Sequence, residues 1–260
     1  NYKEDTGIST VTLEEHKSYA KLTGKIEIKN VTFGYSKLSP PLLKHFSLTI
    51  ESGERVALVG SSACGKSTIA KLLCGLYEPW EGEILFDGKP IRHIPEKVFH
   101  GSLSMVDQDI SVFEDSVGNN IKLWDKSIED YEMILAARDA QIHKDVMQRP
   151  GGYEHNMQEG GRDFSGGQRQ RFEIARVLAQ DPTIAILDEA TSALDAKTEY
   201  AIMEAIWQRG ITNIVIAHRL STIRDCSQII VLDHGEAIEQ GTHEELMKKG
   251  GVYTKLITTG

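Results

Sequence analysis

The stretch Gly60-Ser61-Ser62-Ala63-Cys64-Gly65-Lys66-Ser67 decides the fold of this chain. It matches the pattern G-x-x-x-x-G-K-S/T, whose glycines let the backbone turn tightly around a phosphate group. The apolar run Val56-Ala57-Leu58-Val59 precedes it, and apolar residues at helical spacing follow it. Between a strand and a helix, such a loop directs backbone N–H groups and the helix N-terminus toward an anion. The sequence therefore predicts a phosphate-binding loop, in which Lys66 reaches the β- and γ-phosphates and the Ser67 hydroxyl binds Mg²⁺.

Two positions of this loop depart from the commonest form. Ala63 stands where many such loops carry a further glycine, and alanine reaches positive φ less readily, so we expect an effect on affinity. Cys64 lies beside Lys66 and near a helix N-terminus, and both features favour its thiolate. We therefore predict that Cys64 is chemically reactive and that bound nucleotide shields it. A regulatory role is a separate question, and there a small residue tolerated at a variable position is the favoured interpretation.

Further apolar runs repeat the strand–helix pattern along the chain. Continuous runs lie at 184–187, 214–217 and 229–232, with helical spacing around 172–179 and 198–207. Such runs are typical of strands that are buried on both faces of a parallel sheet. Because strands alternate with helices, the sequence predicts an α/β fold of the phosphate-loop nucleoside triphosphatase type with a mainly parallel core sheet.

The loop also lies between regions of different pattern. Upstream of it, residues 26–35 and 47–50 have strand character, and downstream we expect one helix face to carry Ile69, Leu72, Leu73 and Leu76. Residues 1–24 are polar and weakly patterned, which indicates a linker from an absent upstream domain. The domain proper is expected over 25–260, with a core at 25–108 and 182–260 and a helical insertion at 109–181.

Composition excludes several classes of protein. The 260 residues carry 29 Lys and Arg against 38 Asp and Glu, a net charge of −9, and 40% are hydrophobic. Phosphate-backbone binding needs excess basic residues, so nucleic acid is not expected as a partner. No apolar run of 18 residues occurs, so no bilayer-spanning segment is predicted. Three widely spaced cysteines fit a reducing cytosol better than a disulfide framework.

Two acids follow the apolar run at 184–187. Asp188 and Glu189 stand where that strand ends, and we expect the strand to lie beside the phosphate-loop strand. Asp188 would then hold Mg²⁺ through water, and Glu189 would orient and deprotonate a water in line with the γ-phosphate. Alone, two acids at a strand end are weak evidence, but together with the loop they predict nucleotide hydrolysis.

A second glycine turn, Ser165-Gly166-Gly167-Gln168, opens the helical pattern around 172–179. A turn of this kind at a helix N-terminus is another anion cradle. One chain with two cradles and one base suggests a head-to-tail dimer, in which this turn covers the γ-phosphate bound to the other chain.

Over about residues 25–260, these motifs resemble the nucleotide-binding domain of ATP-binding-cassette (ABC) transporters. The resemblance also rests on Tyr35, Gln108, the segment Ser192-Ala193-Leu194-Asp195 and His218, which occur in the family's order. It implies ATP and Mg²⁺ as ligands and an antiparallel β subdomain beside the core sheet. The ATP ligands that it implies within one chain are Tyr35, Gly60, Ser61, Ser62, Ala63, Cys64, Gly65, Lys66, Ser67, Thr68 and Gln108. Those that it implies from a second chain are Ser165, Gly166, Gly167, Gln168 and Asp195.

The resemblance also implies individual roles. Tyr35 would stack on adenine. Gln108 would bind Mg²⁺ or the attacking water and respond to a membrane partner, and His218 would hydrogen-bond the γ-phosphate. The catalytic set is then Glu189, His218, Lys66 and Gln108, and the Mg²⁺ ligands are Ser67, Gln108 and Asp188.

A branch of the family is indicated as well. The segment Glu159-Gly160-Gly161-Arg162 resembles a loop of exporters, which places the domain at the cytoplasmic face of a membrane, bound to a transmembrane domain and soluble in isolation. Finer similarity is to bacteriocin exporters of the nitrile-hydratase-leader-peptide type. The segments that carry this similarity are 76–80, 105–109, 149–153 and 172–176, with Asp107 where most exporters have Pro.

A non-transport member of the family stays open as an alternative. ABC ATPases also act in DNA repair and on ribosomes, but those usually have a long coiled coil or two cassettes in one chain. This sequence shows neither feature. A cassette that binds ATP without hydrolysis would lack the Glu or the His, and both Glu189 and His218 are present.

Overall fold

The computed structural model describes residues 20–107, 110–217 and 219–259. Most of the predicted linker at 1–24 therefore lies outside the described residues. The strands are β1 (Ile26–Phe33), β2 (Leu43–Ile50), β3 (Arg55–Gly60), β4 (Glu81–Phe86), β5 (Lys89–Pro90), β6 (Leu103–Val106), β7 (Ile184–Asp188), β8 (Thr212–Ile216), β9 (Gln228–Asp233) and β10 (Glu236–Gly241). The helices are α1 (Lys66–Leu73), α2 (Glu96–Ser102), α3 (Val117–Lys122), α4 (Asp130–Asp139), α5 (His143–Met147), α6 (Gly166–Ala179), α7 (Ala196–Gln208), α8 (Leu220–Ile223), α9 (His243–Lys249) and α10 (Val252–Thr259).

The strands form two sheets. Six of them lie in the order β10-β9-β3-β8-β7-β6, all parallel except β10, which pairs antiparallel with β9. The other four form an antiparallel sheet in the order β2-β1-β4-β5. The predicted α/β fold with a mainly parallel core sheet and an antiparallel part is confirmed.

The central strands of the six-stranded sheet, β9, β3, β8 and β7, are mostly apolar and are buried on both faces. Successive residues of a strand point to opposite faces, so β3 sends Val56 and Leu58 to one side and Ala57 and Val59 to the other. The first side packs against α1 and the antiparallel sheet, and the second packs against the helices from α3 to α7 and the C-terminal helices. This enclosure fixes the carboxyl end of β3, from which the glycine loop emerges.

The sheet order corrects one expectation. β7 does not lie beside β3, because β8 pairs with both strands and separates them. The sequence motifs specify only that parallel strands end at a common edge, not which strands are neighbours. Asp188, at the end of β7, is in register with Ile216 of β8, which is in register with Leu58 of β3. The acids therefore reach the same edge from one strand further away.

The helix after the loop is shorter than its apolar spacing predicts. α1 ends at Leu73, and Leu76 is an exposed residue beyond it. Gly75 takes the left-handed conformation (φ 72°). Its N–H donates to Leu72 O at 3.0 Å, and Leu76 N–H donates to Lys71 O at 3.1 Å. This pair of bonds is the Schellman motif, which ends a helix at a glycine.

The segment between β6 and β7 carries α3, α4, α5 and α6, with short 3₁₀ turns between them. Its described residues contain no strand longer than the isolated bridge between Ser116 and Asn156. The division into a core at 25–108 and 182–260 and a helical part at 109–181 stays a prediction. Across the described part of the chain, no helix combines the length and hydropathy that crossing a bilayer requires.

At the amino edge of the six-stranded sheet, Thr212 joins three segments. Its hydroxyl donates to Gly24 O at 3.0 Å and accepts from Gly53 N–H at 2.9 Å, and the residue is fully buried. A Cβ on Gly24 would lie 2.4 Å from this oxygen, so the chain passes here only as glycine. One hydroxyl thus attaches the N-terminal segment and the β2–β3 turn to the sheet.

Replacing that hydroxyl should destabilise the fold. Thr212→Val keeps the shape but removes the partner of the partly buried Gly53 N–H and of the buried Gly24 C=O. We expect the free energy of unfolding to fall by about 2 kcal/mol or more, measured by urea denaturation. The control is Thr49→Val, at an exposed position of β2, which should change stability by less than about 0.5 kcal/mol. Equal midpoints for the two variants would contradict the role of Thr212.

Candidate nucleotide-binding site

The glycine loop owes its shape to three residues with positive φ. Gly60 has φ 150°, Ala63 has φ 62° and Gly65 has φ 109°. A Cβ on Gly60 would lie 2.2 Å from Leu232 O, and one on Gly65 would lie 2.6 Å from a methyl carbon of Leu43. Only glycine fits these two places. Ala63, which stands where many such loops carry glycine, adopts the left-handed conformation. For a non-glycine residue this conformation costs about 1–2 kcal/mol of conformational energy.

Lys66 is the first residue of α1, and its side chain folds back into the glycine loop. Only 7% of its surface is exposed, and its Nζ donates to Gly60 O at 2.9 Å and to Ser61 O at 2.8 Å. The first turn of α1 also leaves the N–H groups of Lys66, Ser67 and Thr68 without acceptors inside the helix. An ammonium group and a helix N-terminus therefore point into one small concave space, which suits a phosphate chain.

The loop lines a cavity of about 380 Å³, and the cavity brings together most of the predicted in-chain ligands. Those on its wall are Tyr35, Ser62, Ala63, Gly65, Lys66, Ser67 and Thr68, and Glu189 lies there with them. Sequence reasoning missed Leu42 and Ile216, which also line it. Neither carries a polar group or belongs to a motif, so no sequence signal marks them.

The structure buries Cys64 and does not place it on the cavity wall, contrary to the prediction of an accessible, reactive thiol. Only 3% of its surface is exposed, and it packs in the core beneath the loop, with its Sγ 3.7 Å from Lys66 Nζ. The same Sγ would lie 2.9 Å from a Cβ on Gly60. The side chain thus faces away from the cavity, because the left-handed turn at Ala63 directs the next side chain inward. Because the Cys64 thiol is buried, a reagent cannot reach it in the native fold, whatever the ionisation state of the thiol.

Tyr35 lies at the outer end of the cavity, two residues after β1. Its hydroxyl is 3.0 Å from Thr68 Oγ1, which ties the ring to the first turn of α1. Phe33 and Tyr77 contact it edge-on, at centroid distances of 5.4 and 5.3 Å. The ring is 56% exposed, so a face stays available for a flat ligand.

Asp188 and Ser67 provide oxygen atoms that suit Mg²⁺. Ser67 lines the cavity, and its hydroxyl hydrogen-bonds the carboxylate of Asp188, which is buried behind the cavity wall. Burial raises the pKa of Asp188, and the neighbouring carboxylates of Asp107 and Glu189 raise it further, whereas the Ser67 hydrogen bond and the charge of Lys66 lower it. Because burial and the other carboxylates outweigh the Ser67 and Lys66 contributions, a divalent cation fits here. A hydroxyl and a carboxylate are hard oxygen donors of the type that Mg²⁺ prefers, with phosphate oxygens completing its shell.

Glu189 is held by backbone geometry. It is half-buried with φ 52°, a conformation that a non-glycine residue adopts only where its surroundings impose it. Its N–H donates to Ile216 O at 2.9 Å, which bridges the ends of β7 and β8. This bond turns the side chain from the strand direction toward the cavity, where Lys66 and Ser67 also lie.

Ser165 and the glycines after it lie on another surface. The Ser165 hydroxyl caps α6 by accepting from Gln168 N–H at 3.2 Å, and Gln168 Oε1 accepts from Ser165 N–H at 2.9 Å. Ser165 and Gly166 are exposed, and none of the residues 165–168 lines the cavity. The structure thus does not join this cradle to the phosphate loop of the same chain.

The turn Ser192–Asp195 lies against the start of α6. Gln170 Nε2 donates to Ser192 Oγ at 2.9 Å, and Ala193 N–H donates to Gln170 Oε1 at 2.9 Å. Asp195 caps α7: it accepts from Thr198 Oγ1 at 2.6 Å, from Thr198 N–H at 3.0 Å and from Lys197 N–H at 3.1 Å. The bonds from Thr198, first that of its hydroxyl, hold the pKa of Asp195 below the ordinary value. The Asp195 carboxylate is thus largely engaged in these capping hydrogen bonds. The cradle and the turn form one continuous exposed surface.

Two predicted catalytic residues, Gln108 and His218, lie outside the described residues. The structure describes their neighbours: Asp107 follows β6, and Ala217 and Arg219 lie on either side of position 218.

The family to which this site belongs follows from comparison with known proteins. The family model "ABC transporter" matches residues 43–192, which contain the phosphate loop, the Ser165 turn and the two acids. The chain therefore belongs to the ABC transporter family, and it is an ATPase domain of that family.

Curated relatives match almost the whole chain. The mitochondrial iron-sulfur clusters transporter atm1 of Neurospora crassa is 42% identical over 259 residues, which cover 95% of this chain and 36% of the relative. The ATP-dependent lipid A-core flippase of Alcanivorax borkumensis is 42% identical over 255 residues, covering 97% of this chain and 42% of the relative. The chain thus spans about two fifths of the length of these relatives.

A solved structure matches the fold as well. It is a bacterial Atm1-family ABC exporter with ATP bound, with a TM-score of 0.86 and 40% sequence identity. The match covers 91% of this chain and 42% of that one.

The position of Cys64 predicts slow thiol chemistry. In the native protein, maleimide should alkylate Cys64 about 100-fold more slowly than in concentrated urea, with or without Mg-ATP, because the thiol is buried. Cys74 and Cys226 should also react slowly, since burial raises the pKa of each thiol to about 12 and leaves little thiolate. Peptide mass spectrometry gives the three rates. Rapid native alkylation of Cys64 that Mg-ATP suppresses would restore the reactive-thiol interpretation.

Proposed function

We propose that this ATPase domain is the motor of an ABC exporter, which binds ATP at the glycine loop and hydrolyses it with Glu189 as general base. The proposal rests on the cavity of about 380 Å³, which is lined by Lys66, Ser67 and Glu189 together. A phosphate cradle and a carboxylate at one edge of a parallel sheet are the two parts that phosphoryl transfer to water needs.

Binding is assigned to the loop and to Tyr35. Lys66 Nζ, which now donates to two loop carbonyls, would donate to phosphate oxygens, with the N–H groups of the first turn of α1 beside it. The exposed face of Tyr35 would stack on adenine. Ser67 and Asp188 would hold Mg²⁺, which neutralises charge on the phosphates when bound.

Hydrolysis is assigned to Glu189. Its carboxylate would accept a proton from a water molecule as the water oxygen bonds to the γ-phosphorus and the bond from that phosphorus to the bridging oxygen breaks. The backbone bond from Glu189 N–H to Ile216 O holds the base in place throughout. The resemblance assigns the γ-phosphate contact to His218 and a Mg²⁺ or water contact to Gln108.

A second copy of the chain is the proposed partner at the cradle. Ser165 and Gly166 are exposed and lie away from the cavity, next to the exposed turn of Ser192 and Ala193. A head-to-tail dimer would bring this surface over the phosphates of the opposite chain and exclude water from both sites. Asp195 would then act mainly by holding the turn in shape.

The exporter assignment rests on the relatives named above, which are described as transporters or as a flippase. We infer a transmembrane domain as partner and a place at the cytoplasmic face of a membrane. No observation favours the alternative of a non-transport ATPase. A peptide or bacteriocin cargo stays a prediction from the sequence: neither of these curated relatives is described as a bacteriocin exporter.

Glu189→Gln tests the assignment. The amide keeps the shape of the side chain but cannot accept the proton, so we expect turnover of ATP to fall by roughly 10²-fold or more. Binding of ATP should persist, and gel filtration with ATP and Mg²⁺ should show a larger dimer fraction than the wild type, because hydrolysis no longer reopens the complex.

The matched control is Glu236→Gln, at an exposed position of β10 that does not line the cavity. It should turn over ATP at the wild-type rate. Wild-type turnover by the Glu189→Gln protein would remove Glu189 from the mechanism. A monomer that persists with ATP in the Glu189→Gln protein would count against the dimer alone.

A further inference from the structure

The carboxylate of Glu199 joins two segments at the carboxyl edge of the core sheet. Glu199 lies in the first turns of α7, and only 1% of its surface is exposed. A carboxylate buried to this extent requires hydrogen-bond donors and positive charge around it. Its partners therefore show which parts of the structure it holds together.

One partner belongs to the turn that begins at Glu189. Thr191 Oγ1 donates to Glu199 Oε1 at 2.6 Å. Within the same turn, Ser192 N–H donates to Glu189 O at 3.1 Å, and Leu194 N–H donates to Thr191 O at 3.0 Å. Glu199 thus anchors the backbone that carries the proposed general base.

The other partners lie after β8. Thr222 Oγ1 also donates to Glu199 Oε1, and Ser221 Oγ donates to Oε2 at 3.0 Å. The guanidinium of Arg219 lies 3.7 Å from Oε2 and donates to Ser192 O at 2.8 Å. One carboxylate, three hydroxyls and one guanidinium therefore fasten α8 and Arg219 to the turn after β7.

This cluster adjoins Glu189. A cleft of about 120 Å³ lies between the two segments, and Glu189 and Ala217 line it together with Glu199 and Thr222. A backbone bond from Glu189 N–H to Ile216 O joins the segments closer to the sheet. Glu199 adds an attachment on the other side of the cleft, beside the bonds from Arg219 to Ser192 O and Leu194 O, and together these restrict hinging of the two segments.

We propose that Glu199 is a positioning residue for ATP hydrolysis, which holds α8 and the residues around it in register with the turn that carries Glu189. The proposal rests on the proposed role of Glu189. Among the described residues, the side-chain partners of Glu199 lie in the two segments and not in the phosphate loop. Loss of the carboxylate should therefore slow hydrolysis and leave ATP affinity nearly unchanged.

The main variant is Glu199→Gln in the full 260-residue chain. The amide has the same shape, but it removes the charge opposite Arg219 and one of the two acceptor oxygens. We expect kcat to fall about 10–100-fold, the size of effect that a small misplacement of a catalytic group produces. The Kd for ATP should stay within about twofold, so the effect falls on kcat and not on binding.

The matched control is Glu204→Gln, five residues further along the same helix. The Glu204 carboxylate accepts from Gln208 Nε2 at 3.1 Å on the partly exposed side of α7. This variant should keep both the wild-type kcat and the wild-type Kd. Equal kcat values for the two Gln variants would overturn the proposal, and so would a parallel loss of ATP binding in Glu199→Gln.

A hydroxyl rescue covers the case in which Glu199→Gln fails to fold. Thr222→Val removes one donor to Glu199 and keeps the shape, whereas Thr222→Ser keeps the donor and loses a methyl group. We expect the Val variant to lose kcat about 10-fold and the Ser variant to stay within about twofold of the wild type. Equal kcat values for Val and Ser at position 222 would overturn the proposal.

Hydrogen exchange separates this inference from the proposed function, because it needs no catalysis. In Glu199→Gln or Thr222→Val, peptides that cover 219–224 should exchange at least several-fold faster than in Glu204→Gln, while peptides that cover 60–68 stay unchanged. Unchanged protection at 219–224 would overturn the role of Glu199 even in an active enzyme. Increased exchange in a chain that never hydrolyses ATP would support the attachment and contradict the proposed function.

Discussion

The buried ammonium of Lys66 is the interaction on which the site depends. A charge with 7% exposure needs compensation, and the loop supplies it by turning the carbonyls of Gly60 and Ser61 toward Nζ. That turn is possible only because Gly60, Ala63 and Gly65 take positive φ. The same backbone path buries Cys64 and leaves the N–H groups in the first turn of α1 without acceptors inside the helix. The loop is thus shaped by bonds within the chain itself, which reduces the ordering that a ligand must impose.

The sheet converts this local shape into a reaction site. Because β3, β8 and β7 are parallel, their ends meet at one edge, and Asp188 and Glu189 reach the loop across the intervening β8. Two of the non-glycine residues in the left-handed region, Ala63 and Glu189, lie at this edge. Such conformations persist only where the surroundings impose them. The buried sheet, enclosed on both faces, provides that support.

The sequence predicts the parts of this structure that depend on local pattern. The apolar runs locate β3, β7, β8 and β9, and the glycine loop with the acids at 188–189 locates the cavity. What it misses depends on distant contacts: β8 between β3 and β7, the inward direction of Cys64, and the apolar residues Leu42 and Ile216 on the cavity wall. The sequence also carries a signal for Glu199. Glu199 falls at helical spacing with Ile202, Met203 and Ile206, so an acid stands on the buried face of α7.

The central claim, that the loop binds the phosphates of ATP through Lys66, is tested most directly by titration calorimetry of the chain with Mg-ATP. The account predicts one ATP per chain and a Kd that rises about 10–100-fold in Lys66→Ala, the loss expected for a charged hydrogen bond. Lys71→Ala, which removes a lysine from the last turn of the same helix, should bind as the wild type does. Equal affinities for Lys66→Ala and Lys71→Ala would contradict the account.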